Sequence, residues 1–569
     1  MTPETEQQYK NQIAALQAEI EKLKNQQTKA IQREKYGLNW IDVPEEFDEK
    51  SKNSIPVLKE IKEKAIKNDD GKPTHILIEG DNYHALTCLN YTHAGKIDVI
   101  YIDPPYNTGS DDFTYKDARF LTEFPNGKIV PKDDPLRHST WLSFMEKRLR
   151  LAKNLLSDKG VIFISIDDNE QANLKLLCDQ IFGEKFFLGN IDWESKTKSQ
   201  NTKTAYDKLQ PKVEHILVYS KKNHFNLYEK AKKEYPEYDE NGCFRYYKIE
   251  MMSSEGIRGR ETMIFPILGV NLPPEKQWKY GIETIKEFEE RGDLILLNEY
   301  PTMKIRPIDE RGEITEPFWG FISKEIGTAE TAKKDLNKIF GSIKHGFDTV
   351  KPVELILKLI FHSSTPNSTI LDFFAGSGTT LHATMKLNAE DGGNRQCILV
   401  QQQENDSNIC ETITYERNRR VMQGYTNAKG EEIAGLGNSL KYYKTDFIGK
   451  NKPEKATDED RISLAQKAGY LISLVENTLE EIETNDFYQI FSDAEENQFT
   501  AIYFNGDTEK FPDFVQSIQE KNKKTTVYIF TWGSPDIFEN EFDDLSNITI
   551  KSIPQPILEI YKSLMKNEE

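Results

Sequence analysis

A chain of 569 residues exceeds one ordinary domain and leads to an expectation of two to four. Its apolar fraction of 37% and aromatic fraction of 11% support a packed core and exclude global disorder. No run approaches the ~20 apolar residues of a membrane span. The opening "MTPETEQQYKNQ" lacks a signal-peptide apolar core, so a cytoplasmic protein with no membrane partner is expected.

The net charge of −19 counts against a nucleic-acid partner only until its distribution is read. Residues 451–569 hold 24 Asp+Glu and 11 Lys+Arg, a balance of −13, which leaves −6 for the other 450 residues. Within those, Lys196 to Phe225 contains seven lysines against Asp207 and Glu214. Such a segment either binds DNA or forms a solvated face, and charge alone leaves both open. The five cysteines (Cys88, Cys178, Cys243, Cys397, Cys410) form no C-x-x-C pair, and the nine histidines form no H-E-x-x-H. Neither a disulfide framework nor a metal site is expected.

Taken in chain order, residues 5–35 read as a helix, with Tyr9, Ile13, Leu16, Ile20 and Leu23 at 4-3-4-3 spacing, too short a run to establish a coiled coil. Alternating elements follow: strand 75–81, helix "NYHALTCLN", strand 97–105, helix 140–156, strand 160–167, helix 169–182 and strand 214–221. Apolar strands separated by amphipathic helices predict a largely parallel sheet covered on both faces. From about Lys222 to Lys344 the pattern weakens into a Lys-, Glu-, Gly- and Pro-rich stretch, expected to be an inserted recognition unit. It resumes with a helix at 352–364, a strand at 368–374, a helix from Thr379, a strand at 396–403 and the helix "CETITYERNRRVMQGY". The acidic remainder predicts one helix over 461–482, then three strands with a helix between the first two, a separate small α/β domain.

Two turns carry the chemistry. In "LDFFAGSGTT" a strand delivers Asp372, Gly376 and Gly378 flank Ser377, and Thr379 and Thr380 open a helix. Glycines let the backbone approach a ligand, and the helix N-terminus offers N–H groups. The lysine of GK[ST] is missing, and Leu381 stands where a dinucleotide site has its third glycine. An acid ahead of the glycines disfavours phosphate and suits an ammonium, hence an amino-acid-like cofactor bearing a nucleoside. A turn that only packs helix on strand is the lesser alternative for this element alone. In "IYIDPPYNTG" Pro105 stops the strand at its carboxyl end, where open parallel sheets bind ligands. Asp103, the Pro104 carbonyl and the Tyr106 ring suit a flat heterocycle bearing an amino group; the bland alternative is a rigid strand-to-loop turn.

Together, "DPPY" and "DFFAGSGTT" resemble the S-adenosylmethionine-dependent amino-group DNA methyltransferases, with the catalytic motif ahead of the cofactor motif, the circularly permuted β class. The resemblance continues through "HILIEGDNYHAL", "LLSDKGVIFISIDDNE", "FDTVKPVELI" and "ITYERNRRV", covers roughly residues 36–450, and is most similar to the modification (Mod) subunits of type III restriction–modification systems. It implies an α/β, Rossmann-like methyltransferase fold with an inserted target-recognition domain and a small α/β C-terminal domain. The implied organisation is an N-terminal helix in 1–35, a catalytic half in 36–221, target recognition in 222–345, a cofactor-binding half in 346–450 and the acidic domain in 451–569.

The resemblance further implies that Asp103, Pro104, Pro105 and Tyr106 are catalytic. Asp372, Phe373, Ala375, Gly376, Gly378, Thr379 and Thr380 match the cofactor turn, Asp81 the acid at the adenine end, and Lys351-Pro352 the segment closing over the methionine part. Where the family has an acid for the ribose hydroxyls, Gln401-Gln402-Gln403 precede Glu404, so Glu404 or a glutamine takes that role, with Glu404 favoured. The implied reaction is methyl transfer from S-adenosylmethionine to N6 of a flipped adenine in double-stranded DNA, with no metal. A homodimer and a helicase–nuclease restriction subunit are the implied partners. A stand-alone enzyme, cytosine N4 chemistry and a DNA-specificity scaffold remain open, as do the weaker readings of RNA or protein-glutamine methylation. Arg258, Arg260 and Arg306 are candidate base contacts in the inserted region.

Overall fold

The computed structural model describes residues 38–45, 53–109, 116–198, 209–222, 235–254, 260–309, 315–343, 345–403, 408–542 and 547–566, with Leu16, Gln17, Ile20, Ser51, Tyr228–Lys230 and Leu545 besides. Most of the expected N-terminal helix lies outside the described residues; Leu16, Gln17 and Ile20 are helical and exposed. Among the described residues no helix is long and apolar enough to cross a membrane.

Val- and Ile-rich strands assemble into a ten-stranded sheet. In chain order they are β1 (Ile55–Glu60), β2 (Thr74–Glu79), β3 (Ile97–Ile102), β4 (Leu156–Ile166), β5 (Phe187–Trp193), β6 (Glu214–Ser220), β7 (Phe321–Ile322), β8 (Thr369–Asp372), β9 (Gln396–Gln401) and β10 (Ser439–Ile448). Across the sheet they run β1-β10-β2-β9-β8-β3-β4-β6-β5-β7. The six strands from β10 to β4 are parallel. β6 runs antiparallel to both of its neighbours, and β1 antiparallel to β10.

Alternate side chains go to opposite faces of a strand, which fixes how the sheet is covered. Ile76, Ile78, Ile100, Ile102, Ile162, Ile164 and Ile398 share a core with α1 (Asn82–Thr92), α2 (Ser139–Leu155) and α3 (Gln171–Cys178). Residues of the other parity, Leu77, Val99, Phe163, Ile370 and Leu399, are also buried, so both faces are covered. α4 (Ala329–Phe340) is followed by α5 (Val353–Ser363) and α6 (Thr379–Asp391), which pack on each other, and α7 (Glu416–Gln423) continues a π-helical turn at Cys410–Tyr415.

The winding reverses between β3 and β8. β4, the strand after β3, lies on one side, and β9, the strand after β8, lies on the other. β3 and β8 pair directly, Val99 with Ile370 and Ile100 with Leu371. Open α/β sheets bind ligands where the winding reverses, at the carboxyl ends of the strands.

Residues Leu227–Phe318 form a second compact unit, with Trp319 onward belonging to the first, so the unit is shorter than the 222–345 expected from composition. Its four-stranded sheet runs Leu294–Leu297, Tyr300–Ile305, Gly242–Lys248, Glu237–Asp239. With the helix Ile282–Glu290 it encloses its own core of Ile249, Trp278, Ile285, Phe288 and Met303.

The acidic C-terminal residues build a five-stranded sheet from β11 (Glu480–Thr484), β12 (Tyr488–Ser492), β13 (Gln498–Tyr503), β14 (Lys524–Phe530) and β15 (Ile548–Ile553). The single helix expected over 461–482 is instead α8 (Asp458–Lys467) and α9 (Gly469–Glu476), ended by Asn477 in the left-handed conformation before β11 begins. This region is joined to the main sheet through a shared core. Leu471 and Ile472 of α9 and Leu558 and Tyr561 of α11 (Gln555–Lys566, after α10 at Phe511–Lys521) lie in one apolar cluster with Leu86 and Leu89 of α1. Replacing fully buried Leu471 by Ala is expected to cost about 2–5 kcal/mol and to lower the denaturation midpoint of the main sheet itself, read by tryptophan fluorescence in urea.

Candidate active site

Four strand ends converge where the winding reverses. Asp103 follows β3, Asp372 ends β8, Gln401 ends β9, and Asn82 stands just beyond β2. They border a crevice of about 720 Å³, counting its open mouth, lined also by Tyr101, Pro105, Phe347, Thr349, Lys351, Phe373 to Ser377, Thr379, Thr380, Gln402 and Ile409.

One wall is the turn after β3. Lys351, just ahead of α5, places its ammonium 2.8 Å from both Asp103 oxygens, 2.9 Å from the Tyr106 hydroxyl and 3.3 Å from Glu214 Oε2. The Tyr106 hydroxyl reaches Asp103 Oδ1 at 2.7 Å and Glu214 Oε2 at 3.2 Å. Burial pulls the Lys351 ammonium down, but Asp103 and Glu214 outweigh it and hold its pKa above the ordinary lysine value. Burial, with the same two carboxylates, pushes the Tyr106 phenol well up, so it stays protonated. The turn is fixed from outside: Trp141 Nε1 donates to the Pro105 carbonyl at 2.8 Å, and Asp117 accepts from the amides of Tyr106, Thr108 and Gly109.

The other wall is the glycine turn after β8. The Asp372 carboxylate is buried, accepting from the Thr380 hydroxyl at 2.6 Å and the Phe374 amide at 3.0 Å. Burial raises its pKa to about 7, against these two hydrogen bonds and with help from the charge of Asp103. Three of the turn's amides are already committed: Ala375 to the Val400 carbonyl, Gly376 to Gln401 Oε1 at 2.7 Å, Gly378 to the Ala375 carbonyl. They are spent on the protein rather than offered to a phosphate. Gly378 has φ +74°, and a Cβ there would meet the Asn418 amide and Thr414. Buried Arg417 braces the turn from α7, donating to Ser377 Oγ and Thr379 Oγ1, each at 2.7 Å.

Most site residues expected from sequence meet here, but not all in the expected way. Asp103, Pro105, Lys351, Asp372, Phe373, Ala375, Gly376, Thr379 and Thr380 line the crevice. Pro104 is buried in the turn, Gly378 faces α7, and Pro352 is the N-cap of α5. Asp81 is not a lining residue: its carboxylate caps α1 through the Tyr83 amide at 2.8 Å and pairs with buried Arg148 at 3.3 Å. Its neighbour Asn82 lines the crevice instead, donating to the Phe373 carbonyl. Gln401 and Gln402 both line it; Glu404 lies outside the described residues. Glu214, Arg417 and Phe347 have no assigned role in the sequence reading, although "ITYERNRRV" and "FDTVKPVELI" mark the segments carrying Arg417 and Phe347.

The basic segment and the arginines divide likewise. Lys212 and Lys222 pair with Glu194 and Asp158, and Lys221 donates to the Leu156 carbonyl, while Lys203 and Lys208 lie outside the described residues, as does Arg258. Arg260 is exposed. Arg306, expected among base contacts, is buried within the second unit, with Asp239 and Asp293 at 2.8 and 2.7 Å from Nη2. Its guanidinium is spent on these two carboxylates and is not free to read a base.

Residues 97–425 match the family model described as DNA methylase. The Type III restriction-modification enzyme StyLTI Mod subunit of Salmonella typhimurium is 35% identical over 355 residues, 58% of this chain and 53% of that protein. The Type II methyltransferase M.KpnI of Klebsiella pneumoniae is 33% identical over 405 residues, 65% of this chain and 90% of its own length. The EcoPI Mod subunit of Escherichia phage P1 is 29% identical over 429 residues, 66% of this chain and 64% of that protein. The chain thus spans about half the length of the Salmonella relative.

The loop after Tyr106 carries a pH response of its own. Asn107, at φ +58°, donates to Glu170 Oε1 at 2.6 Å, and His138 Nδ1 meets the same oxygen at 2.5 Å. The hydrogen bond to Glu170 raises the His138 pKa above 6.5, against burial. A base whose folded pKa is raised contributes stability that is complete below its unfolded value and is lost as the pH rises through the folded one. An NMR titration is expected to place His138 above 6.5, and Glu170→Gln to return it to 6.5 or below.

Proposed function

The chain belongs to the DNA methylase family, and on that premise we propose that it transfers a methyl group from S-adenosylmethionine to N6 of an adenine flipped out of duplex DNA. The observation that carries this reading is the meeting of Asp103 and Asp372 on adjacent strand ends of one crevice. Asp372, Phe373, Ala375, Gly376, Thr379, Thr380 and Lys351 would hold the cofactor. The fit is chemical: a buried carboxylate in the wall gains from meeting an ammonium and would repel a phosphate, and three amides of the glycine turn are spent within the protein. When bound, S-adenosylmethionine supplies an electrophilic methyl group on a sulfonium.

The chain's own residues do the rest. Asp103 and the Pro104 carbonyl accept the two amino hydrogens, which favours a pyramidal nitrogen with its lone pair directed at the methyl carbon. Tyr106 supplies an aromatic face beside the acid, and Asp103 takes the surplus proton. The nucleophile is the base itself, so orientation and fixed charge supply the catalysis without a covalent enzyme intermediate. The cysteines near the crevice, Cys397 and Cys410, are buried thiols whose pKa burial pushes up, which disfavours cytosine C5 chemistry.

The identities to the Salmonella and phage P1 Mod subunits support the finer reading, that of the modification and DNA-recognition subunit of a type III system, acting as a homodimer with a helicase–nuclease partner. Coverage of 90% of the Klebsiella type II enzyme favours the alternative, a methyltransferase complete without a restriction subunit. ATP-dependent cleavage on adding the product of an adjacent gene separates the two.

Methylation-aware sequencing of DNA from cells expressing the chain is expected to show N6-methyladenine in one sequence context; unmodified DNA overturns the reading. Asp103→Ala is expected to lose about 10³-fold or more in methyl transfer while cofactor affinity, read by calorimetry, changes little. Because an ammonium favours ionised Asp372, cofactor binding is expected to release a proton near pH 7 and to tighten as the pH rises through about 7. Calorimetry in buffers of different ionisation heat reads that proton, and Asp372→Asn removes it.

A further inference from the structure

Both oxygens of Asp103 are already engaged, Oδ1 by two donors and Oδ2 by one. The Lys351 ammonium lies 2.8 Å from each of its oxygens and the Tyr106 hydroxyl 2.7 Å from Oδ1. A base whose amino group is to be accepted by Asp103 must therefore compete with the Lys351 ammonium and the Tyr106 hydroxyl for it, and this step rests on the function proposed above. A displaced ammonium needs a new counter-charge, because the Lys351 side chain is only 12% exposed and an unpaired charge in such a place is costly.

Glu214 stands where that counter-charge is needed. It opens β6, separated from β3 in the sheet by β4, and its side chain is 13% exposed. Its Oε2 lies 3.3 Å from the Lys351 ammonium and 3.2 Å from the Tyr106 hydroxyl. A phenol has one proton and donates it to one acceptor at a time. The two contacts of the Tyr106 hydroxyl are therefore alternatives, donation to Asp103 or donation to Glu214. Lys351 bridges the same two carboxylates, so both groups have a second partner in place.

We propose that Glu214 is a positioning residue for arrival of the target base: it receives the Lys351 ammonium and the Tyr106 hydrogen bond when the base's amino group takes Asp103. No bond is made or broken in this exchange and no proton changes owner. Lys351 stays an ammonium, Tyr106 a phenol and both acids carboxylates. In its absence the ammonium would stay on Asp103 and compete with the substrate.

The test is a double-mutant cycle in single-turnover methyl transfer at saturating cofactor, on a duplex carrying the sequence context found in cells. Glu214→Gln keeps the shape and removes the charge. It is expected to slow transfer by about tenfold or more in the otherwise unaltered chain. In a Lys351→Met background the same change is expected to cost less than about twofold, since there is no ammonium left to receive. Glu214→Asp, which restores the charge, is expected to recover part of the rate, and Glu214→Ala carries the same cycle if the glutamine variant does not fold. An equal loss in both backgrounds marks a packing role and overturns the proposal, as does an unchanged rate in Glu214→Gln. Those results leave the underlying function standing if Asp103→Ala is inactive, whereas an active Asp103→Ala overturns that function and this inference with it.

Discussion

The site depends on the pairing of β3 with β8, Val99 with Ile370 and Ile100 with Leu371. Both strands are parallel members of one sheet, so their carboxyl ends face the same edge, and two turns far apart in sequence become the two walls of one crevice. The reversal of winding at this pair opens the crevice: the crossover connections leave it on opposite sides. The insertion of Leu227–Phe318 leaves this intact, because the chain resumes in β7, which returns to the sheet beside β5 through Phe321 with Asp192.

Around that pair, several polar groups that the strand ends leave open are satisfied from within the chain, which explains residues that look arbitrary in sequence. Gln401 stands at the end of β9 where its Oε1 can take the Gly376 amide, while Thr414 takes the Gly376 carbonyl from the π-helical turn ahead of α7. The wider turn of backbone at Cys410–Tyr415 lets α7 continue with Arg417 and Asn418 under the glycines. Gly378 is needed there for two reasons at once: its φ of +74° and the lack of room for a side chain beside Asn418.

Elements governed by one strong period were legible in the sequence. β2, β3, β4, α1 and α2 appear within a residue or two of the expected bounds, apart from an earlier start to β4 and an earlier end to β3 at Ile102. Both chemical turns were legible too, since proline and glycine act through the local backbone. What escaped depends on distant partners. β10, "SLKYYKTDFI", mixes lysines, tyrosines and an aspartate and holds as a strand because β1 and β2 pair with it on either side. β5 is held by β6 and β7 in the same way. Glu214 in sequence is only the first residue of a strand; its meeting with Lys351 follows from the order β3-β4-β6, which no local pattern encodes. Arg306 shows the converse, where a residue type suited to base contact is spent on Asp239 and Asp293 by its own fold.

Those two charge clusters help decide what a buried ion pair means here. Replacing such a pair with well-packed apolar residues is often neutral or stabilising, so its presence is weak evidence of a contribution to stability. In the second unit, Arg306 has nearly ideal geometry: two carboxylates meet the flat guanidinium and the Gly242 carbonyl accepts from it as well, a closed and fully partnered arrangement. The Lys351 cluster is not closed in that sense. Two carboxylates compete for one ammonium and for one phenolic proton, beside an opening bordered by Asp372, whose pKa of about 7 already reflects burial and the charge of Asp103. An arrangement with more acceptors than its donors can serve at once is a poor way to hold a fold together. It is suited to a site in which one of the donors gives way to a ligand.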